Sequence, residues 1–242
     1  MQESLIERLD EYRTALITQA VTTGLPREAA KSAGLDPEPS LKASGVDWLG
    51  QVPDHWAIVP LSRAVLLQRG HDLPGDQREL GDVPVVSSAG VSGHHSEAVA
   101  TGPAIVTGRY GSIGDFYLIE GPFWPLNTTL YSIDMFGNDE NFLYFLLTSL
   151  KPLFLANADK SAVPGVDRND LHQIRVAIPP RREQLVIAEY LEAQSSRISF
   201  LREKAQLSIE RLSEYRSALI SAAVTGKIDV RDDAPPGGRG GA

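Results

Sequence analysis

The sequence predicts an α+β protein in which one globular domain is flanked by two repeat helices that form an antiparallel coiled coil. A helical segment near the N-terminus recurs near the C-terminus. Between the two copies, short apolar strand candidates are punctuated by glycine and proline, and one longer apolar run has the length of a buried helix. Strands and helices that do not alternate regularly are typical of an α+β domain.

The two copies of the repeat are nearly identical. Residues 6–22 recur as residues 209–225, and 13 of the 17 positions carry the same amino acid. The copies bracket a different segment and do not tile the chain, so the protein is not a solenoid. Either one helical unit was duplicated around a separate cassette, or a longer repeating protein was cut.

Both copies have the heptad spacing of a coiled-coil seam. In the C-terminal copy the seam runs for more than four heptads from Leu191, with polar interruptions at Gln194 and Ser208. A narrow apolar seam leaves each helix unstable alone, so the nearest partner for each copy is the other. The residues expected to pack the helices are Leu9, Tyr12, Leu16, Leu191, Ile198, Leu201, Leu212, Tyr215 and Leu219.

The middle of the chain is predicted to fold as a globular domain. Pro179-Pro180 marks the start of the C-terminal helix and Gly226 its end. The strand candidates are Trp56–Leu61, Val83–Val86, Ala104–Thr107, Phe116–Ile119 and Ile174–Ile178, and the helix candidate is Asn141–Leu150. The predicted segments are an N-terminal helix (1–25), a linker (26–44), the globular domain (45–180), the C-terminal coiled-coil helix (181–228) and a disordered tail (229–242).

Composition narrows the class of protein. The 242 residues include no cysteine, which excludes disulfides and thiolate metal sites. The N-terminus lacks the apolar core of a secretory signal, and no apolar run approaches the roughly 20 residues of a membrane span, so we expect a cytoplasmic protein. The net charge is −8, and residues 47–175 hold fifteen acidic but only eight basic residues. This balance counts against extensive phosphate neutralisation by the chain alone.

The sequence lacks the motifs of common catalytic centres. It has neither a phosphate-binding GxxxxGK[ST] loop nor a GxGxxG turn that opens a helix after a strand. The five histidines have no metal-ligand spacing, and the adjacent pair His94-His95 points in opposite directions if it is extended. We therefore expect no enzymatic activity, no cofactor and no metal.

Two turns could present polar side chains to a ligand. The glycine-rich run Gly108–Asp115 follows a strand candidate and offers Arg109, Tyr110 and Ser112 at a turn that allows close backbone approach. Asn127 and Thr128 are similar, and side chains of these types read base edges or phosphates. The alternative is structural: a hairpin with Arg109 paired to a nearby acid, and a capped turn. A later polar loop, residues 160–170, is more simply a structural link.

Several of these segments in this order resemble the specificity subunit of type I restriction-modification systems. The resemblance runs from about residue 3 to residue 229, and it is carried by SGVDWLGQVPDHWAIVPL, GRYGSIGD, GPFWPLNTTLY, FLYFLL and SAVPGVDRNDLHQIRVAIPPRREQLVIAEYLE. Such subunits carry two target-recognition domains, each of which reads half of a split DNA site. Two conserved helices pack antiparallel and set the distance between the halves. Modification subunits that methylate adenine bind the helices, and a restriction subunit joins for cleavage.

This chain departs from that pattern because it has a single recognition domain, so it resembles a half-length form. The resemblance implies double-stranded DNA, modification subunits and, through the complex, a restriction subunit as partners. It implies that the chain pairs with itself or with another half, or is a truncated remnant. One alternative is a coiled-coil assembly protein whose middle domain binds protein rather than DNA, which the negative charge favours. An enzyme is the other alternative, against which the missing motifs argue.

Overall fold

The computed structural model describes residues 2–158 and 165–228. The predicted tail, 229–242, lies outside the described residues. Contacts between residues divide the chain into two units. We call the described residues between positions 13 and 194 the globular unit, and residues 2–12 with 195–228 the helical unit.

Six α-helices and twelve strands are formed by the described residues. The helices are α1 (Gln2–Thr23), α2 (Arg27–Ser32), α3 (Glu140–Ser149), α4 (Lys151–Ala158), α5 (Arg168–His172) and α6 (Arg181–Val224). The strands are β1 (Leu41–Ala43), β2 (Gln51–Pro53), β3 (Ala57–Pro60), β4 (Leu66–Arg69), β5 (Val83–Ser87), β6 (Gly90–His95), β7 (Ala100–Thr101), β8 (Ala104–Gly108), β9 (Phe116–Ile119), β10 (Pro122–Pro125), β11 (Thr129–Asp134) and β12 (Arg175–Ile178). All five predicted strands and the predicted buried helix are confirmed, with ends within two residues.

The strands form two four-stranded sheets and two short pairs. One sheet has the order β4-β11-β8-β9 and is antiparallel throughout. The other has the order β6-β5-β10-β7, in which β10 runs parallel to β5. The remaining strands form the antiparallel pairs β1-β2 and β12-β3. These largely antiparallel sheets, together with the helices, form the predicted α+β fold.

The two larger sheets share an apolar core. Val86 and Phe123 from one sheet pack with Ala104, Val106 and Tyr131 from the other, and all five are buried. The rings of Phe123 and Tyr131 meet edge to face, with centroids 6.0 Å apart. Such an arrangement adds to the area that the two rings remove from water.

Helix α3 covers the antiparallel sheet and anchors the start of α6. It contacts β8 and β9 and buries a nearly continuous apolar run. The carboxylate of Asp139 caps it by accepting a hydrogen bond from Phe142 N at 2.9 Å. The amide of Gln184, in the first turn of α6, accepts from Asp139 N and donates to Asn138 Oδ1, both at 2.8 Å. The start of α6 is thus fixed to the globular unit by a buried polar network.

The segment predicted as a linker contains regular structure. Residues 26–44 include α2 and β1, and β1 pairs with β2. The globular unit also extends past the predicted limits of 45–180 at both ends, because the second half of α1 and the first turns of α6 are buried in it. The domain limits themselves stay a prediction.

The two repeat helices run antiparallel. In the helical unit the start of α1 lies beside residues 199–206 of α6, and Asp10 faces Arg202 with 3.4 Å between the charged atoms. In the globular unit Gly24, just after α1, lies against the ring of Trp56, whose indole donates to Glu183 in the first turn of α6. Because each helix is continuous, these contacts fix opposite directions.

The predicted helix-packing residues differ widely in exposure. Leu16, Leu191 and Ile198 are buried. Leu9 is half-buried. The remaining five, Tyr12, Leu201, Leu212, Tyr215 and Leu219, are exposed. Their part in helix packing stays a prediction, and four of the five lie on α6 beyond residue 200.

Candidate nucleic-acid interface

The glycine-rich turn after β8 has a shape that only glycine permits at its hinges. Gly111 and Gly114 have φ values of +71° and +77°, which strain other L-residues. A Cβ added at Gly108 would lie 2.6 Å from the backbone oxygen of Ser112. The turn therefore closes tightly, with Arg109 half-buried and Tyr110 exposed. The Arg109 guanidinium carbon stacks over the Tyr110 ring, 4.8 Å from its centroid.

A second turn, between β10 and β11, holds the first in place. Arg109 N donates to the carbonyl of Thr128 at 2.8 Å. The end of β4 comes equally close, because Gly70 N donates to Thr129 O at 3.1 Å and a Cβ at Gly70 would clash with the backbone oxygen of Leu126 at 2.1 Å. The glycine lets the chain beyond Arg69 touch this turn.

The residues that lead into α5 form a third wall. Val166 N donates to Arg109 O at 3.0 Å. The carboxylate of Asp167 accepts from Asn169 N at 2.7 Å and caps α5. Arg168 and Asn169, in the first turn of this helix, are thereby placed beside the glycine-rich turn.

These three segments enclose a small basic cleft, which we call the arginine cleft. Its volume is about 260 Å³. It is lined by Gln68, Arg69, Arg109, Leu130, Asp167, Arg168 and Asn169. Three of the eight basic residues found between positions 47 and 175 therefore meet at one place in an otherwise acidic chain. Guanidinium groups fork to phosphates or guanine edges, and the two carboxamides can read adenine.

A histidine beside the cleft is favoured in its neutral form. Burial, and then the positive charge of Arg168, lower the pKa of His172 from its usual 6.5, against a smaller opposing effect of Asp167. His172 Nε2 accepts a hydrogen bond from Leu67 N at 3.0 Å, so its neutral form supports β4 from below the cleft. Asp72 lies beside Arg69, with 3.8 Å between charged atoms, and accepts from the Asn127 side chain. Asp167, the one acid among the described residues of the lining, already accepts a hydrogen bond from Asn169 N.

The five residues predicted for DNA contact lie close together, but they hold different positions. Arg109 lines the arginine cleft. Tyr110 lies under the Arg109 guanidinium, and the carbonyl of Thr128 accepts a hydrogen bond from Arg109 N. Asn127 is tied to the Arg69 side through Asp72. Ser112 lies in the turn, where its carbonyl accepts from Asp115 N at 3.4 Å. Their part in DNA contact stays a prediction.

Of the seven residues that line the cleft, the sequence predicted only Arg109 and missed the other six: Gln68, Arg69, Leu130, Asp167, Arg168 and Asn169. The signal for Arg69 was a glycine directly after a basic residue at a strand end, where the backbone can approach another turn. The signal for Arg168 and Asn169 was the capping residue Asp167, which predicts a helix start inside the segment interpreted as a structural link.

Other kinds of site are not found in the described part of the chain. Among residues 2–158 and 165–228, no three His, Cys, Asp or Glu side chains group as a possible metal site. None of the helices described is both long and apolar enough to cross a membrane.

The fold defines an α+β domain with a basic cleft, flanked by paired repeat helices. A family model described as "Type I restriction modification DNA specificity domain" matches residues 65–211. The chain belongs to this family of type I restriction-modification DNA specificity proteins.

Known specificity subunits are similar to this chain in sequence or in fold. The chain is 26% identical over 182 residues to the type I restriction enzyme EcoDI specificity subunit of Escherichia coli, covering 74% of this chain and 40% of that subunit. The S subunit of a type I restriction-modification system from M. genitalium is similar in fold (TM-score 0.59, 14% identity, 90% of this chain and 54% of that one). So is the HsdS subunit from Thermoanaerobacter tengcongensis (TM-score 0.58, 17% identity, 94% and 57%). The chain thus spans about half the length of these relatives or less.

Proposed function

We propose that this chain is a non-catalytic DNA-specificity subunit of a type I restriction-modification complex, and that its arginine cleft reads one half of a split DNA target. The observation that carries the proposal is the meeting of Arg69, Arg109 and Arg168 in one cleft of a chain with net charge −8. Family membership supports the substrate class.

The composition of the cleft suits base reading as well as phosphate contact. Arginine bridges guanine O6 and N7, and Gln or Asn pairs with adenine N6 and N7. Arg109 is half-buried and braced on Tyr110, so less side-chain freedom is lost when it binds. Arg69 is more exposed and suits a phosphate. The chain spans 40% of the EcoDI specificity subunit and 54% of the M. genitalium S subunit, a share that suits the reading of half a target.

We propose that the repeat helices bind the partner subunits. The exposed apolar residues Leu201, Leu212 and Leu219 offer α6 a seam for a second helix. We propose that the chain pairs there with a second copy or another half subunit, and that adenine methyltransferase subunits dock on the helices. Those subunits would supply the phosphate contacts that an acidic chain cannot make alone, and a restriction subunit would join through the complex.

Titration of DNA duplexes tests the cleft. With the cognate modification subunit present, Arg109→Ala should weaken binding by about 1–3 kcal/mol and relax specificity at one position if Arg109 reads a base. If Arg109 contacts phosphate, the loss should be the same for cognate and scrambled duplexes, with a smaller salt slope. Arg69→Ala and Arg168→Ala are tested alongside.

The matched control is Arg27→Ala, which removes one exposed positive charge in α2 that does not line the cleft. It should leave DNA affinity and specificity unchanged. If all three cleft variants fold normally and bind DNA like the control, the cleft is not the recognition surface.

The second candidate is an assembly protein whose globular unit binds protein, and the excess of acidic residues favours it. This candidate function predicts no salt-dependent binding of duplex DNA, even with the modification subunit present. The cleft variants would then change complex assembly and leave DNA binding unaltered.

A further inference from the structure

The two copies of the repeat lie in different surroundings. In α1, the residues buried in the globular unit are Leu16, Ile17, Ala20, Val21 and Thr22. We call the place that buries them the α1 site. In α6, the counterparts of the three largest, Leu219, Ile220 and Val224, are exposed. Val21 is 0% exposed, whereas Val224 is 82% exposed.

The differences between the copies avoid the buried positions. Four residues of the N-terminal copy differ from their counterparts: Asp10, Thr14, Thr18 and Gln19. None of the four is among the buried residues of α1. All five residues that fill the α1 site are the same in the C-terminal copy. The surface that accepts one copy is therefore chemically matched to the other.

We infer that the α1 site is also the docking site for residues 209–225 of a second copy of this chain, and that α1 competes with the partner for it. This inference rests on the proposed pairing of two copies and not on DNA recognition. Within one chain α1 is tethered beside its site, so its effective concentration is high and it normally holds the site closed. When α1 leaves, the exposed repeat of a second copy can take its place.

The register of such a pair follows from the helical unit. Asp10 faces Arg202 in the same chain, and the repeat counterpart of Asp10 is Ser213. A second copy seated in the same way places its Ser213 opposite Arg202. Applied to both copies, the rule gives an antiparallel α6–α6 pair whose two-fold axis lies midway between these positions. The contact is self-complementary and closes as a dimer.

Just beyond the repeat, the two copies no longer fit the α1 site equally well. Gly24 is buried and its added Cβ would lie 3.9 Å from the Trp56 ring, whereas its counterpart is Lys227. The Asp10–Arg202 ion pair is also lost in the exchanged arrangement, because Ser213 carries no charge. Both differences favour the α1 of the same chain, so α1 holds its own site in the isolated chain, and the proposed pairing requires α1 to leave it.

Cysteine trapping tests the register, since the chain has no cysteine of its own. In Arg202→Cys/Ser213→Cys the two thiols lie on one helix, about 16 Å apart along its axis, too far for an intrachain disulfide. Oxidation should therefore give a covalent dimer. Asp10→Cys/Arg202→Cys should instead give an intrachain bond and a monomer. The wrong-register control is Ser196→Cys/Ser213→Cys.

Repeat counterparts test the competition in the same trapping assay, each added to the Arg202→Cys/Ser213→Cys background. Leu16→Ala weakens α1 in its own site and should raise the yield of covalent dimer several-fold. Leu219→Ala weakens the incoming repeat and should lower that yield. The inference is overturned if the wrong-register pair crosslinks equally fast, or if the two substitutions change the yield in the same direction.

The register can still be tested if a variant misfolds, and the outcome is independent of DNA binding. If Leu16→Ala fails to fold, comparison of the two cysteine pairs in the otherwise unmodified chain still decides the register. DNA is absent from the assay, so failure here leaves the arginine-cleft titration untouched. Equally, loss of the DNA result would not alter the crosslinking pattern.

Discussion

The N-terminal and C-terminal copies of the repeat show how far the same sequence can differ in energetic role. Both are helical, because helix formation follows the shared local pattern. Leu16 is 5% exposed in the N-terminal copy, whereas its counterpart Leu219 is 41% exposed. Burial is therefore set by what lies beside each helix and not by the repeat. A heptad seam of leucines predicts that a helix packs against another helix. It does not predict whether that partner helix is in the same chain.

The largest expected difference is between Leu16→Ala and Leu219→Ala, which make the same change in the two copies. Leu16→Ala should lower the free energy of unfolding by about 2–5 kcal/mol, because it leaves a cavity in the globular unit. Leu219→Ala should change it by about 0.5 kcal/mol or less. Urea unfolding at low protein concentration, where single chains dominate, measures both. Equal losses in the two variants would contradict the comparison.

The next largest difference is expected at acid pH, where protonation of His172 should destabilise the N-terminal copy more than the C-terminal copy. Burial and Arg168 lower the pKa of this group in the folded state, so the unfolded chain binds the proton first as the pH falls. The stabilisation is fully present above about pH 6.5 and is lost as the pH falls from there through the folded-state pKa. Amide exchange in residues 16–22 should then speed up, since these residues depend on the globular unit. Residues 216–224, which are largely exposed already, should change little.

His172→Gln is the control for that experiment, because it keeps a side-chain acceptor for Leu67 N and cannot titrate in this range. The difference in unfolding free energy between the unmodified chain and this variant isolates His172 from the other histidines. A difference that stays constant between about pH 7.5 and about pH 5, values chosen to bracket the usual histidine pKa of about 6.5, would show that the group does not contribute to acid sensitivity.

The sequence could predict those parts of the fold that depend on local patterns. The heptads predicted α6, and apolar runs predicted β8 and β9. The pattern of β10 has proline at both ends, and β6 contains two glycines and two histidines, so neither resembles a strand alone. They are strands because they pair with β5 on either side. This is tertiary context, which one sequence does not display.

The residues of the candidate site also fall into those that local sequence predicts and those that only tertiary packing brings together. Arg109 was predicted because glycines surround it and imply a tight, exposed turn. Arg69 and Arg168 lie far from it in the sequence, and they reach the same cleft only because β4 and α5 pack beside β11 and the glycine-rich turn. The exposure of Leu212 illustrates the same limit, since at 54% exposed an aspartate there costs little in a single chain. At a buried position of the seam, an unpaired aspartate would cost several kcal/mol.

The smallest expected effect concerns one of the four positions at which the copies differ. Asp10→Ser makes the N-terminal copy match the C-terminal one and removes the ion pair with Arg202, in which both side chains are about half exposed. Exposed pairs contribute about 0–1 kcal/mol, so the free energy of unfolding should fall by no more than that. The loss should disappear at about 1 M salt, where the Debye length is about 3 Å.

The reciprocal change, Ser213→Asp, completes the comparison. Ser213 is exposed, so single-chain stability should change by about 0.5 kcal/mol or less. In the exchanged dimer, however, the new carboxylate faces Arg202 of the second copy, and the fraction of dimer should rise at low salt. Sedimentation of the two variants at low and high salt measures both effects. A stability loss in Asp10→Ser that persists at high salt would mean that Asp10 stabilises the helical unit by something other than its charge.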